Sequence, residues 1–282
     1  MAKEKQEQKK NTNLTRIISG TIGFPFVAGM VIFGNSLIID ILVAIIALIC
    51  TYEYIHCFKS TKKANPSTGI LVILSALLAF SSFLPDVALK EIYIAIIPLS
   101  LLISITELVL SKGKKTIMDV AITMLGVCYI PLMLVFMSII RNRFQHGAIL
   151  IWYVFVAAWG SDIFAYFIGR KFGKHKYTEI SPKKSIEGCV AGVLGAVALS
   201  VIFTIFINSI FNMSISLIMV SIITVILSII GQIGDLAASS MKRHCGLKDF
   251  GELIPGHGGM LDRIDSVIFI LPFAYILLGL LI

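Results

Sequence analysis

IPGHGGMLDRIDSVIFILPFAYILLGLLI, Ile254 to Ile282, joins two kinds of chemistry in one stretch. From Ser266 onward it carries no charge, and its apolar run is long enough to cross the hydrocarbon core of a bilayer as a helix. A helix satisfies its own backbone polar groups, which lipid demands of any spanning segment. Just before that run stand three glycines, a histidine, an arginine and two aspartates. The segment therefore marks a place where a membrane helix meets water.

The apolar pattern recurs along the chain. Its 282 residues are 57% hydrophobic and 14% charged, against about 25% charged in ordinary soluble domains, and mean hydropathy is +0.93. The expected fold is an all-α polytopic integral membrane protein with about nine transmembrane helices. These are placed at roughly 17–34, 37–57, 69–84, 92–109, 117–140, 148–169, 188–208, 215–238 and 264–282. The polar stretch 1–16 reads as a basic cytoplasmic tail before a retained first span rather than a cleaved leader. Residues 17–147 form an expected N-terminal transmembrane region of about five helices. Residues 148–282 form an expected catalytic transmembrane region of about four helices with two polar cytoplasmic loops.

Orientation follows from lysine and arginine in short loops. The tail, the loop with Lys59, Lys62 and Lys63, and the loop with Lys112, Lys114 and Lys115 fall on one side. So do the loop from Arg170 to Lys184 and the loop with Lys242, Arg243 and Lys248. That side is expected to be cytoplasmic. RNRFQHG, with Arg141, Arg143 and His146, departs from the rule because it falls on the outer side. The net charge of +8 is accounted for by this bias and calls for no nucleic-acid partner. Five cysteines, an odd number mostly within apolar runs, read as small buried hydrophobes rather than a disulfide framework.

In the first half, Glu53, His56, Glu107 and Asp119 are the notable polar groups, and their places near span ends predict solvation at the interface. The second half holds two denser clusters. In the first, Asp235 lies inside the cytoplasmic end of the eighth span, where an acid needs a cation, a partner or water. Asp235, Ser239 and Lys242 share a helical face at i, i+4 and i+7. Asp262 and Asp265, spaced i, i+3, open the ninth span. Carboxylates gathered at a membrane mouth form a hard-oxygen site suited to Mg²⁺, which also takes substrate phosphates and water as ligands. Asp235 and Asp262 are the expected metal ligands. Lys242, Arg243, Lys248 and Arg263 suit phosphate oxygens, and Gly258 and Gly259 offer unhindered backbone N–H groups at a helix start. The plain structural alternative makes these aspartates helix caps and the bases ordinary cytoplasmic lysines and arginines, which leaves an acid inside the span unexplained. A zinc site from His244, Cys245 and His257 lacks a fourth ligand and has a poor spacing.

In the second cluster, Asp162, Tyr166, Arg170 and Gly173 share a face leading from the membrane to a basic loop. SPKKS follows, with Lys183, Lys184 and Ser185; Ser181 before Pro182 reads as a helix N-cap.

The run SSMKRHCGLKDFGELIPGHGGMLDRID, through Ser239, Lys242, Arg243, Lys248, Asp249, Pro255, His257, Gly258, Gly259, Asp262, Arg263 and Asp265, resembles the signature of the phosphatidate cytidylyltransferases, or CDP-diacylglycerol synthases. SDIFAYFIGRKFGK and SPKKSIEG resemble family segments as well, so the resemblance covers about residues 155–282. It implies transfer of the cytidylyl group of CTP to phosphatidic acid, giving CDP-diacylglycerol and pyrophosphate. It also implies Mg²⁺ with a second metal ion or K⁺, a cytoplasm-facing site in the cell membrane open sideways to lipid, and a homodimer. On this reading Asp235, Asp262, Asp265 and Lys242 are catalytic. Arg243, Lys248, Arg263, Lys183, Lys184, Ser185, Ser239, His257, Gly258 and Gly259 bind substrate. Rival readings are a cytidylyltransferase for an isoprenoid-ether lipid, a polyprenol kinase, and a transporter; a transporter is expected to spread its acids across the membrane depth and both halves of the fold.

Overall fold

The computed structural model describes residues 28–178, 181, 184–251 and 258–281. The basic tail, most of the first expected span, Pro182, Lys183 and His257 lie outside the described residues. Among them the regular structure is helical, and a β-bridge joins Lys176 to Ser185. The helices are α1 (Ser36–Ser60), α2 (Thr68–Leu77), α3 (Asp86–Leu110), α4 (Ile117–Tyr129), α5 (Pro131–Arg143), α6 (Gly147–Phe155), α7 (Ser161–Phe172), α8 (Ile186–Phe211), α9 (Leu217–His244) and α10 (Leu261–Leu278).

Seven stretches among the described residues are long and apolar enough to cross a membrane: Ser36–Ser60, Glu91–Leu110, Ile117–Arg143, Gly147–Phe172, Ile186–Phe211, Leu217–His244 and Leu261–Leu281. They make this a multi-pass membrane protein. Their outward side chains are large and apolar, as at Ile94 (76% exposed), Ile218 (74%) and Leu194 (65%), a surface that suits lipid as the solvent. The third expected span is a shorter apolar helix, Thr68–Phe83. Its second half tightens into a 3-10 turn from Leu78 to Phe83. Asp40, wholly buried on α1, accepts the Ser82 N–H at 2.5 Å near the end of that turn.

Two of the long stretches are not regular. Ile117–Arg143 breaks at Ile130, and Pro131 starts α5, the helical position at which a missing N–H costs nothing. Gly147–Phe172 carries a π-helical segment, Val156–Gly160, between α6 and α7. The expected outer-side departure, RNRFQHG, is a tight turn. His146 has φ +61, and a Cβ at Gly147 would lie 2.2 Å from the Ile140 carbonyl oxygen. Arg141 and Arg143 occupy the last turn of α5, where cations complement the helix dipole.

The chain forms two compact units, Met1–Leu132 with Cys245–Arg263, and Met133–His244 with Ile264–Ile282. In the first, α1 packs on α2 and its 3-10 extension, and α4 packs on α2 and α3. The Tyr54 hydroxyl donates to the Ile122 carbonyl at 2.8 Å. Thr116 and Asp119 form a reciprocal capping box at the start of α4, and Asp119 also accepts the Asn65 N–H. Glu107 pairs with Lys115 and accepts the Ser67 hydroxyl at 2.9 Å.

In the second unit α8 packs on α7 and α9. Its small residues permit this. A Cβ at Gly192 would lie 2.7 Å from the Ser161 carbonyl oxygen, and one at Gly195 would lie 2.1 Å from the Phe164 ring. Gln232 on α9 donates to the Ser161 hydroxyl and to the Cys189 carbonyl, both at 3.0 Å. One amide side chain thus binds three elements at the depth of the π segment, where polar side chains act as interhelical ties.

The N-cap of α8 is Ser185, whose hydroxyl accepts the Gly188 N–H at 3.2 Å. This corrects the expectation of Ser181. The helix begins at Ile186, directly after the bridge between Lys176 and Ser185, with the Tyr177 N–H donating to Lys184 O at 2.9 Å.

Candidate active site

The second unit gathers one set of the expected residues. Asp265, on the second turn of α10, is 5% exposed. Asp235, Lys242 and Asp162 are its charged neighbours, from α9 and α7. Lys242 is itself buried at 7% exposure. Asp235 forms an ion pair with Lys184 from the loop before α8. Two glycines of α9 admit α10 closely: a Cβ at Gly231 would lie 2.8 Å from the Ile270 side chain, and one at Gly234 would lie 2.7 Å from that of Phe269. Acids that are expensive inside a membrane span are thus neighbours of one another and of two lysines. Ser239 is half-buried on the α9 stretch between Asp235 and Lys242, and Arg243 is exposed at its end. On α7 the Arg170 guanidinium donates to the Tyr166 hydroxyl at 3.2 Å, as their shared face suggests. Ser185 is engaged as a helix cap, and its neighbour Glu187 accepts N–H groups from Lys174 and His175.

The first unit holds the other set. Asp262 Oδ2 accepts the Phe250 N–H at 2.8 Å and the Gly259 N–H at 3.0 Å, closing the loop in front of α10. Lys248 and Asp249 are exposed on that loop, and Arg263 is exposed one residue beyond Asp262. Gly258 has φ +87, and a Cβ there would come within 3.4 Å of Asp262 Oδ2, so a left-handed glycine is what the turn requires.

Sequence reasoning misplaced Asp119, which is 6% exposed, and more consequentially Glu53. Glu53 is not solvated at an interface but 3% exposed on α1. Its Oε1 accepts the Met260 N–H at 2.9 Å and its Oε2 accepts the Leu261 N–H at 2.8 Å. A Cβ at Gly259 would lie 2.6 Å from Oε2, and one at Gly251 would lie 2.9 Å from Oε1. The missing side chains at these two glycines make room for this carboxylate. Three amides at the start of α10, those of Gly259, Met260 and Leu261, therefore donate to protein carboxylates. The one signal in the sequence was a glutamate within an apolar run, which marks a functional residue by default in a membrane span.

Among the described residues, no three His, Cys, Asp or Glu side chains meet in metal-ligating geometry. The donor set nevertheless fits a hard cation. It consists of carboxylates, with those of Asp235 and Asp162 close enough to that of Asp265 for their charges to act on it, and Mg²⁺ commonly binds through one or two carboxylates with phosphate and water completing its shell.

The model of the cytidylyltransferase family matches residues 14–281. The chain belongs to the cytidylyltransferase family. The match spans both units and every residue described above. Among its curated relatives, the phosphatidate cytidylyltransferase of Bacillus subtilis (strain 168) is 35% identical over 268 residues, covering 94% of this chain and 97% of that one. The phosphatidate cytidylyltransferase of Staphylococcus saprophyticus is 35% identical over 274 residues, covering 95% and 98%. That of Staphylococcus haemolyticus is 41% identical over 171 residues, covering 60% and 63%.

Proposed function

We propose that this enzyme transfers the cytidylyl group of CTP to phosphatidic acid, giving CDP-diacylglycerol and pyrophosphate, at the cytoplasmic face of the cell membrane. The observation that carries this reading is the likeness, over nearly the whole chain, to relatives named phosphatidate cytidylyltransferase. A membrane-embedded cluster of acids and lysines supports it, because one substrate dissolves in lipid and the other in water.

An oxygen of the lipid phosphate attacks the α-phosphorus of CTP in line. The new bond joins that oxygen to the α-phosphorus; the bond from the α-phosphorus to its bridging oxygen breaks, and pyrophosphate leaves with the electron pair. The nucleophile is already an anion, so the protein's task is positioning and charge stabilisation rather than proton removal. Lys242, Arg243, Lys248 and Arg263 hold the triphosphate and the departing pyrophosphate. Lys183, Lys184 and Ser185 serve the lipid phosphate or the nucleotide. Asp235 and Asp262 would hold Mg²⁺, with Asp265 and Asp249 orienting neighbours; the ion supplies neutralisation of phosphate charge. A second ion, a metal ion or K⁺, and a homodimeric assembly belong to the same reading. His257, outside the described residues, is assigned to substrate binding on the same reading.

The acceptor is tested by supplying the purified protein with labelled CTP and, in turn, phosphatidic acid, an isoprenoid-ether lipid phosphate and a polyprenol. The proposal expects labelled lipid with phosphatidic acid. Transfer to polyprenol with release of CDP would replace it with a kinase.

A further inference from the structure

We infer that Glu53 is a positioning residue for the reaction: from the first half of the chain, it fixes the start of the helix that carries Asp262, Arg263 and Asp265. The inference rests on the cytidylyl-transfer reading for its chemistry, but its geometry stands alone. Each Glu53 oxygen takes one amide of α10, Met260 N–H at 2.9 Å and Leu261 N–H at 2.8 Å. The next acid on that helix, Asp262, takes the amides of Phe250 and Gly259. Two carboxylates, close enough for their charges to act on each other, thus hold three consecutive amides at the helix start, those of Gly259, Met260 and Leu261, and a fourth at Phe250.

A structural cap alone does not need this arrangement. Serine, threonine or asparagine from the local chain caps a helix without placing a second acid beside the first. Here the cap comes from 207 residues away, and it is an ionisable group in an apolar span, where such groups are costly and tend to be functional. Gly251 and Gly259 leave the carboxylate its space on both sides. The anchor sets the rotation and height at which α10 presents its acids, and small misplacements of reacting groups cost rate steeply.

The test uses the full chain in nanodiscs. Glu53→Gln keeps the shape but replaces one of the two acceptor oxygens by a donor, so one of the two amides loses its partner. The expected result is a fall in kcat of about 10–100-fold with KM for phosphatidic acid within about twofold of wild type. Hydrogen exchange should rise in peptides spanning residues 245–263 while the remaining spans stay protected. Gly259→Ala, whose Cβ displaces the same carboxylate, should give the same pattern. The double variant should be no worse than the more affected single one, because both changes break one contact. Wild-type kcat in Glu53→Gln with only a lowered melting temperature would overturn the inference, leaving Glu53 a cap. Losses that multiply in the double variant would overturn it as well. Should Glu53→Gln fail to fold, Glu53→Asp takes its place: it keeps both oxygens but withdraws them by a methylene, and unchanged kcat with unchanged exchange would overturn the inference. A wild-type protein that makes no CDP-diacylglycerol would sink the functional reading instead, while the exchange and double-variant arms still report the anchor.

Discussion

Lys184 and Asp235 form an ion pair that joins the basic loop before α8 to the acid inside α9. A residue expected to bind substrate and one expected to hold the metal thus hold each other. The pair is partly exposed, so its worth lies less in stability than in placing both groups. Lys184→Met is expected to lower turnover about 10–100-fold by releasing Asp235 from its position. Asp235→Asn should cost at least as much, and the double variant little more than Asp235→Asn alone. Rates at saturating CTP in protein of wild-type melting behaviour check this.

Asp262 has a structural duty, accepting two amides, and a proposed chemical one, and two substitutions separate them. Asparagine keeps an oxygen able to accept the Phe250 and Gly259 amides; alanine strips both of their acceptor. Asp262→Ala should therefore destabilise the fold by about 1–3 kcal/mol, and Asp262→Asn by less. Turnover should be lost in both, because the charge is absent in both. Thermal melting beside turnover reads the split, and near-normal turnover in folded Asp262→Asn would remove Asp262 from the metal site.

The packing of α8 on α7 depends on the absence of a side chain at Gly195, where a Cβ would overlap the Phe164 ring. Gly195→Ala should destabilise the protein by about 1–3 kcal/mol through overpacking. Adding Phe164→Leu, which removes the ring, should recover part of that loss. Melting temperatures of the single and double variants measure the recovery.

Seven of the nine expected spans were legible in the sequence because lipid imposes long apolar runs, and the lysine loops suggested an orientation. That acids and a lysine of α9 and α10 would gather was legible because Asp235 and Asp265 sit where acids are expensive. What escaped was long-range or conformational. The partners of Glu53 lie more than 200 residues ahead, and a lone acid near a span end has no period to reveal what it meets. Gln232 was invisible for the same reason: its three-element tie exists only once α7, α8 and α9 are packed. The cap of α8 moved from Ser181 to Ser185 because the chain makes a bridge before the helix, which a Ser-Pro pair does not announce. Gly259 was read as room for phosphate, whereas its missing side chain admits the Glu53 carboxylate.

Metal removal bears on the carboxylates as a group. Chelation of divalent ions should stop turnover and added Mg²⁺ should restore it, with the Mg²⁺ requirement shifted about 10–100-fold in Asp235→Asn if any activity survives. A turnover indifferent to chelation would leave the acids without the ion they are proposed to hold.

The most direct measurement supplies the purified protein in phosphatidic-acid-containing nanodiscs with CTP labelled at the α-phosphate, and in parallel at the γ-phosphate. The account predicts that the α label enters the lipid as CDP-diacylglycerol while the γ label leaves in pyrophosphate, in equal amounts. Gamma label in the lipid, or no labelled lipid from folded wild-type protein, would contradict it.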